Sequence, residues 1–176
     1  MQSVELLLDA DADEAVREEW RELDEAGLPS LARHTGASNR PHITLLVAPE
    51  GAETRIASLR DAAALLPVPV TLGGLLLFPS RHGAVLARAV VVTAALLTVH
   101  RAVHDAVGRA VTALPVSVPD AWTPHVTLAR RLTPAQVAVA LEVLEAPVLA
   151  ATATESRLWD SATRLVHPLG PGQPSR

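Results

Sequence analysis

The sequence contains no cysteine, no lysine and no tyrosine, and its aromatic residues are one phenylalanine and three tryptophans. Without cysteine the chain can form neither disulfides nor thiolate metal sites, and a cysteine nucleophile is excluded. Without lysine, Schiff-base catalysis is excluded as well. With so few aromatic residues, the core must be built from leucine, valine and alanine.

Charged residues are also scarce, at 19% of the chain, and all fifteen basic residues are arginine. The hydrophobic fraction of 49% excludes a disordered chain. The net charge of −4 argues against a general nucleic-acid coat, because such proteins carry a strongly basic face. A few arginines can still hold a small or terminal phosphate, because the planar guanidinium matches phosphate oxygens.

The first residues of the sequence and the length of its apolar runs indicate where in the cell the protein is expected. No basic leader precedes the first apolar segment, and no apolar run is long enough to span a bilayer. We therefore expect a cytoplasmic protein without a membrane partner, and a monomer. The 176 residues are enough for one compact domain or for two small lobes that share a core.

One short sequence occurs twice. Pro41-His-Ile-Thr-Leu45 returns 83 positions later as Pro124-His-Val-Thr-Leu128. Alternate side chains of a strand point to opposite faces, so the His and Thr of each motif share one face and the apolar residues take the other. Each motif therefore predicts a strand with a buried apolar face and a His/Thr face that is open to a cleft.

The elements around the two motifs follow a similar order. The first half reads as strand, helix, motif strand, helix and hairpin, over residues 4–9, 11–27, 41–47, 54–66 and 68–92. The second half reads as a long helix over 93–111, the second motif strand, a helix over 134–146 with Thr133 as its N-cap, and a hairpin over 148–168. This order predicts an internal duplication within residues 1–170, with pseudo-repeats at about 1–92 and 93–169, and a disordered tail over 171–176.

An approximate two-fold axis between the halves would place His42 and His125 on opposite sides of one cleft, with Thr44 and Thr127 beside them. With an ordinary pKa of about 6.5, one imidazole can act as a base and the other as an acid near neutral pH. Threonine hydroxyls can donate to the oxygens on which negative charge develops. Phosphodiester cleavage and the opening of a cyclic phosphate both need this set of groups.

Metal-based alternatives are weaker. Neither motif strand carries a carboxylate on its His/Thr face, and His100 and His104, spaced four apart on a predicted helix, lack a third ligand and the Glu of an H-E-x-x-H site. We expect these two histidines to be solvated helix residues. The sequence contains no G-x-S-x-G motif, so it does not indicate a serine hydrolase.

The doubled motif resembles that of the 2H phosphoesterase superfamily, and most closely its 2′-5′ RNA ligase and cyclic phosphodiesterase branch. The resemblance covers about residues 3–169 and implies a bilobal α+β fold with two antiparallel sheets, outer helices and a metal-independent cleft between the lobes. It implies no cofactor, and substrates that are nucleotides or RNA ends.

By position, the resemblance makes His42 and His125 the acid/base pair and Thr44 and Thr127 phosphate-binding residues. Arg130 matches an extended form of the second motif, H-x-T-L-A-R, and is implied to bind phosphate. Its odd offset from His125 places it on the opposite face of a regular strand.

The low aromatic content favours a small or end-only substrate over long RNA, because bases are often bound by stacking. Phe78 and Trp122 are the candidate stacking residues. We predict a phosphodiesterase that opens a 2′,3′-cyclic phosphate or cuts a 2′-5′ linkage, since both motifs are intact. The alternatives are a protein that binds a nucleotide or phosphate ligand in the same cleft without turnover, and an RNA 2′-5′ ligase.

Overall fold

The computed structural model describes residues 1–170, and the predicted tail over 171–176 lies outside the described residues. These described residues form seven strands and four α-helices that are interspersed along the sequence, which confirms the predicted α+β class. The strands are β1 Gln2–Leu8, β2 His42–Ala48, β3 Val68–Ser80, β4 Gly83–Val90, β5 His125–Leu132, β6 Leu149–Asp160 and β7 Leu165–Gly170. The helices are α1 Ala10–Glu25, α2 Ile56–Ala63, α3 Ala94–Val107 and α4 Pro134–Val143.

All seven strands belong to one antiparallel sheet in the order β2-β1-β6-β3-β4-β5, with β7 paired to β6. Because hydrogen bonds join all seven strands into one sheet, the prediction of two separate sheets is wrong. The reason is the length of β6, which pairs with β1 through residues 153–160 and with β3 through residues 149–153, so that one strand joins both halves. The bilobal duplication and its boundaries stay a prediction.

Helix α1 shows how the apolar pattern builds the core. Asp9 caps its N-terminus by accepting a hydrogen bond from the Ala12 amide at 3.0 Å. Val16, Trp20 and Leu23 form a helical stripe that is at most 2% exposed. The predicted long helix over 93–111 is shorter than expected, because Gly108 takes a positive φ of 54° and ends α3 at Val107.

The two motif strands have the same place in the sheet and share an irregularity. Strand β2 pairs with β1, and β5 pairs with β4, each as an edge of the hydrogen-bonded order. The register of β2 has an extra residue at Leu45, and the register of β5 has an extra residue at Leu128. Both are β-bulges three residues after the motif histidine, so the alternation of faces is reversed directly after each of them. Strand β5 has a second register shift at Arg130 and Arg131.

No helix within residues 1–170 is both long and apolar enough to cross a membrane.

Candidate active site

Two adjoining cavities flank the motif strands. The His42 cavity has a volume of about 760 Å³ and is lined by His42 and Arg130 among others. The His125 cavity has a volume of about 400 Å³ and is lined by His125, Phe78 and Trp122 among others. Thr44 and Val47 of β2 line both. The structure therefore brings six of the seven predicted site residues to these two adjoining cavities, and the exception is Thr127.

The two motif histidines are held in the same way. His42 Nδ1 lies 2.6 Å from the Arg40 carbonyl oxygen, and His125 Nδ1 lies 2.8 Å from the Thr123 carbonyl oxygen. A carbonyl can only accept, so each Nδ1 carries a hydrogen and donates it two residues back along the chain. In its neutral form each ring therefore has its Nε2 free of hydrogen and able to accept a proton.

A buried carboxylate stands beside His42. Glu5 on β1 is 3% exposed, and its Oε1 lies 3.6 Å from His42 Nε2. The same carboxylate accepts hydrogen bonds from Arg157 Nε at 2.7 Å and from the Ser3 hydroxyl at 2.6 Å. The Arg157 guanidinium offsets the cost of burying Glu5 and fixes its orientation against His42.

His125 has apolar and positive neighbours instead. Its ring lies 4.6 Å from the Phe78 ring, centroid to centroid, and is tilted 48° to it. Burial lowers the pKa of His125 below its usual value, and the nearby His42 and Arg130 lower it further, against the opposing hydrogen bond to Thr123. The imidazole of His125 is thereby biased towards its neutral, proton-accepting form.

Arg130 lines the His42 cavity, although simple alternation from His125 places it on the other face. The bulge at Leu128 accounts for the difference, because one extra residue moves Arg130 onto the face of the motif histidine. Val47 has the equivalent place after the bulge in β2. Thr127, in contrast, is only 8% exposed and is not among the residues that line either cavity.

Three ring N–H groups hold the backbone at the bulges. Trp122 Nε1 donates to the Thr44 carbonyl at 2.8 Å, and His104 Nε2 contacts the carbonyl of the bulged Leu45 at 3.3 Å. Trp20 Nε1 donates to the Thr127 carbonyl at 3.1 Å. A bulge leaves ladder groups unpaired, and these ring donors satisfy them.

The expectation of solvated helix histidines is wrong for His100. This residue is 1% exposed, its ring stacks on Trp122 at 4.0 Å between centroids, and its Nε2 contacts the Ser117 carbonyl at 2.9 Å. Burial lowers its pKa, so the ring is held neutral within the packing behind β2. Among residues 1–170, no group of three or more His, Cys, Asp or Glu side chains is placed to hold a metal ion.

Sequence reasoning missed Glu5, Arg157 and Ser3. A signal was present, because Glu5 is the one charged residue of the strand Gln2–Leu8 and stands between apolar neighbours, and buried charges are rare unless paired. The partner could not be identified, since Arg157 is 152 positions away and reaches Glu5 only through the pairing of β1 with β6.

Comparisons with known proteins agree with this architecture. A family model described as the 2′-5′ RNA ligase superfamily matches residues 11–164. A comparison with curated protein sequences finds no match.

Three solved structures are similar in fold. TT0787 of Thermus thermophilus has a TM-score of 0.56 at 18% identity, over 96% of this chain and 94% of that chain. A structure described as a phosphoesterase has a TM-score of 0.56 at 17% identity, over 95% and 92%. Usb1 of Kluyveromyces marxianus has a TM-score of 0.54 at 15% identity, over 96% of both chains.

Proposed function

The chain belongs to the 2′-5′ RNA ligase superfamily, and on this premise we propose that it is a metal-independent phosphodiesterase with His125 as general base and His42 as general acid. The substrate is a nucleotide or RNA end that carries a 2′,3′-cyclic phosphate or a 2′-5′ linkage. Thr44 and Arg130 hold the non-bridging oxygens of the reacting phosphate.

The observation that carries the proposal is the matched orientation of the two imidazoles. Both donate Nδ1–H to a carbonyl two residues upstream, which leaves both Nε2 atoms available for proton transfer at adjoining cavities. Two such groups on opposite sides of a phosphate can deprotonate the attacking oxygen and protonate the leaving oxygen.

The different surroundings assign the two roles. His125 is desolvated and lies near positive charge, which favours its neutral form and therefore the role of base. His42 Nε2 lies 3.6 Å from Glu5 Oε1, so the carboxylate can orient an Nε2–H towards the leaving oxygen, and this geometry suits the acid.

In the hydrolytic reaction, His125 Nε2 takes a proton from water while the water oxygen forms a bond to phosphorus. The bond from phosphorus to the leaving oxygen breaks, and His42 Nε2 gives its proton to that oxygen. Arg130 and the Thr44 hydroxyl stabilise the negative charge on the phosphoryl oxygens as it grows. The products are a phosphomonoester and an alcohol, and proton transfer through solvent restores both histidines.

Turnover of nucleoside 2′,3′-cyclic phosphates and 2′-5′-linked dinucleotides in the presence of EDTA tests the reaction. We expect product with the chelator present, and the position of the remaining phosphate identifies the oxygen that leaves. Activity that EDTA abolishes and added metal restores would contradict the mechanism. Binding of these compounds without any turnover would favour the non-catalytic alternative.

Substitution of the motif histidines tests their roles. We expect His42→Ala and His125→Ala each to lower kcat by about 10²–10⁴-fold, the usual contribution of one acid/base group. His82→Ala is the matched control, because His82 is exposed in the β3–β4 turn and lines neither cavity. Circular dichroism of each variant checks that the fold is intact, and wild-type rates in either motif variant would refute the assignment.

A further inference from the structure

The floor of the His42 cavity extends well beyond the motif strand. Ser3 on β1 pairs with Val47 on β2 and with Trp159 on β6, so these three residues form a row across three neighbouring strands. Adjacent strands lie about 4.8 Å apart, so the row extends roughly 10 Å from β2 to β6. All three residues line the cavity.

This cavity concentrates positive charge in an acidic protein. Among residues 1–170, four arginines line it and Glu5 is the one carboxylate that does, while the chain as a whole has a net charge of −4. Two of the arginines are already paired, Arg157 with Glu5 and Arg33 with Asp24. The other two are Arg130 and Arg164.

Arg130 and Arg164 have no carboxylate of residues 1–170 within ion-pair distance. They come from different parts of the fold. Arg130 follows the bulge in β5, at the motif strands. Arg164 lies in the turn between β6 and β7, two residues before Val166, which pairs with Trp159 at the far end of the row. The cavity therefore offers two separate cations that can bind anions, one at each end.

The His125 cavity has a different character. In the part of the chain that the structure describes, no arginine and no carboxylate line it, and the lining includes Phe78, Val116 and Trp122. An apolar space with aromatic walls suits a nucleobase, whereas the His42 cavity suits a polyanion. The site is thus asymmetric about the reacting phosphate.

We propose that Arg164, which lines the His42 cavity together with Trp159, forms a binding site for a second phosphate of the substrate, carried by the leaving group on the His42 side. This inference rests on the proposed function, because His42 as the acid places the leaving group in this cavity. The substrate class that follows is a dinucleotide or RNA end whose leaving nucleoside bears a phosphate of its own. Arg130 holds the reacting phosphate, Arg164 holds the second one, and the retained nucleobase occupies the His125 cavity.

The test compares 2′-5′-linked dinucleotides with and without a 3′-phosphate on the leaving nucleoside. We expect the added phosphate to raise kcat/KM by roughly tenfold or more in the wild type, as is typical of one hydrogen-bonded charge pair. Arg164→Gln should remove this gain while leaving kcat/KM for the unphosphorylated dinucleotide nearly unchanged.

Arg131→Gln is the matched control. Arg131 is exposed, has a φ of 63° compared with 59° for Arg164, and does not line the cavity, although it follows Arg130 directly. A gain that persists in Arg164→Gln, or that is lost equally in Arg131→Gln, would overturn the proposal.

A binding measurement separates this proposal from the proposed function. In the His125→Ala variant, the phosphorylated dinucleotide should bind roughly tenfold more tightly than the unphosphorylated one, and added Arg164→Gln should abolish the difference. Binding that depends on Arg164 without turnover in the wild type would support the phosphate site and refute the phosphodiesterase. Turnover without a gain from the second phosphate would support the phosphodiesterase and refute the phosphate site. If inorganic phosphate competed as strongly as the dinucleotide phosphate does, the site would be one for free phosphate, and the proposal would fail.

Discussion

Two pairs of equivalent positions distinguish the surroundings of His42 from those of His125. Glu5 pairs with Thr44 across β1 and β2, whereas Ala87 pairs with Thr127 across β4 and β5. Five residues after the motif histidine stands Val47 in one strand and Arg130 in the other. A carboxylate is thus placed beside the His42 imidazole, whereas a guanidinium lies near the His125 imidazole and adds to the burial that lowers the pKa of His125.

The pH dependence of the reaction tests this difference at the level of single residues. The pKa of His125 lies below its usual value, so the neutral base forms as pH rises through that lowered pKa, and the acid limb of kcat/KM should lie below about pH 6.5. Arg130→Gln removes one positive neighbour and should move the limb to higher pH, in addition to weakening phosphate binding. The shift should be partial, because burial is the larger cause.

Arg131→Gln serves as the comparison for charge, since Arg131 is not among the neighbours that affect the pKa of His125. A limb that stays in place or moves to lower pH in Arg130→Gln would contradict the electrostatic account.

At the level of secondary-structure elements, the bulges of β2 and β5 set the geometry of the cleft. Each bulge turns the residue two positions further along towards the histidine face, and each is held by an indole N–H from the other half of the chain. Trp122 donates to β2 and Trp20 donates to β5. The edge of β2 is covered as well, because Val47 exchanges hydrogen bonds with the segment over 114–117. The motif strands are therefore fixed by contacts between the halves.

Removal of one indole donor tests this role. Trp122→Phe keeps a ring against His100 but leaves the Thr44 carbonyl without its donor, so we expect the free energy of unfolding to fall by about 1–3 kcal/mol. We expect kcat to fall as well, because Thr44 then has a less fixed backbone. Urea unfolding with steady-state kinetics measures both effects.

Trp159→Phe controls for the loss of an indole in the same experiment, because the Trp159 ring is half-buried and its N–H donates to no side chain or carbonyl of residues 1–170. Equal losses of stability in the two variants would show that ring size, and not the hydrogen bond, is responsible.

At the level of the whole molecule, a buried arginine joins elements from both ends of the chain. Arg88 on β4 is 1% exposed and pairs with Glu19 on α1. Its guanidinium also donates to the Gly73 carbonyl at 2.8 Å and to the Pro147 carbonyl. Burial raises the pKa of Glu19, and Arg88 opposes that rise. The pair therefore connects α1, β3, β4 and the segment before β6.

Removal of the arginine alone should destabilise the fold more than removal of both members of the pair. Arg88→Met leaves a buried carboxylate without its partner, and we expect a loss of about 3–5 kcal/mol. The double variant Arg88→Met/Glu19→Met also removes the unpaired carboxylate and should recover part of that loss, while the Gly73 and Pro147 carbonyls stay without their donor. Urea unfolding of the single and double variants measures the coupling, and additive losses would show that the pair is not coupled.

The sequence by itself determined the local features of this protein. The motif faces follow from the two-residue period of a strand, and the helix caps at Asp9 and Thr133 follow from side-chain chemistry beside the helix. The α+β class follows from alternating patterns of the same kind. These features depend on residues a few positions apart, so they can be predicted from the order of residues alone.

Only the tertiary structure decided the rest. The bulge that brings Arg130 to the cleft, the placement of Glu5 beside His42, the single sheet joined by β6 and the burial of His100 all depend on strands and loops far apart in sequence. Register and pairing are set by how the whole chain buries its apolar faces, and a shift of one residue reverses which side chains face the site. For that reason the two nearly identical motifs became chemically different only when the chain folded.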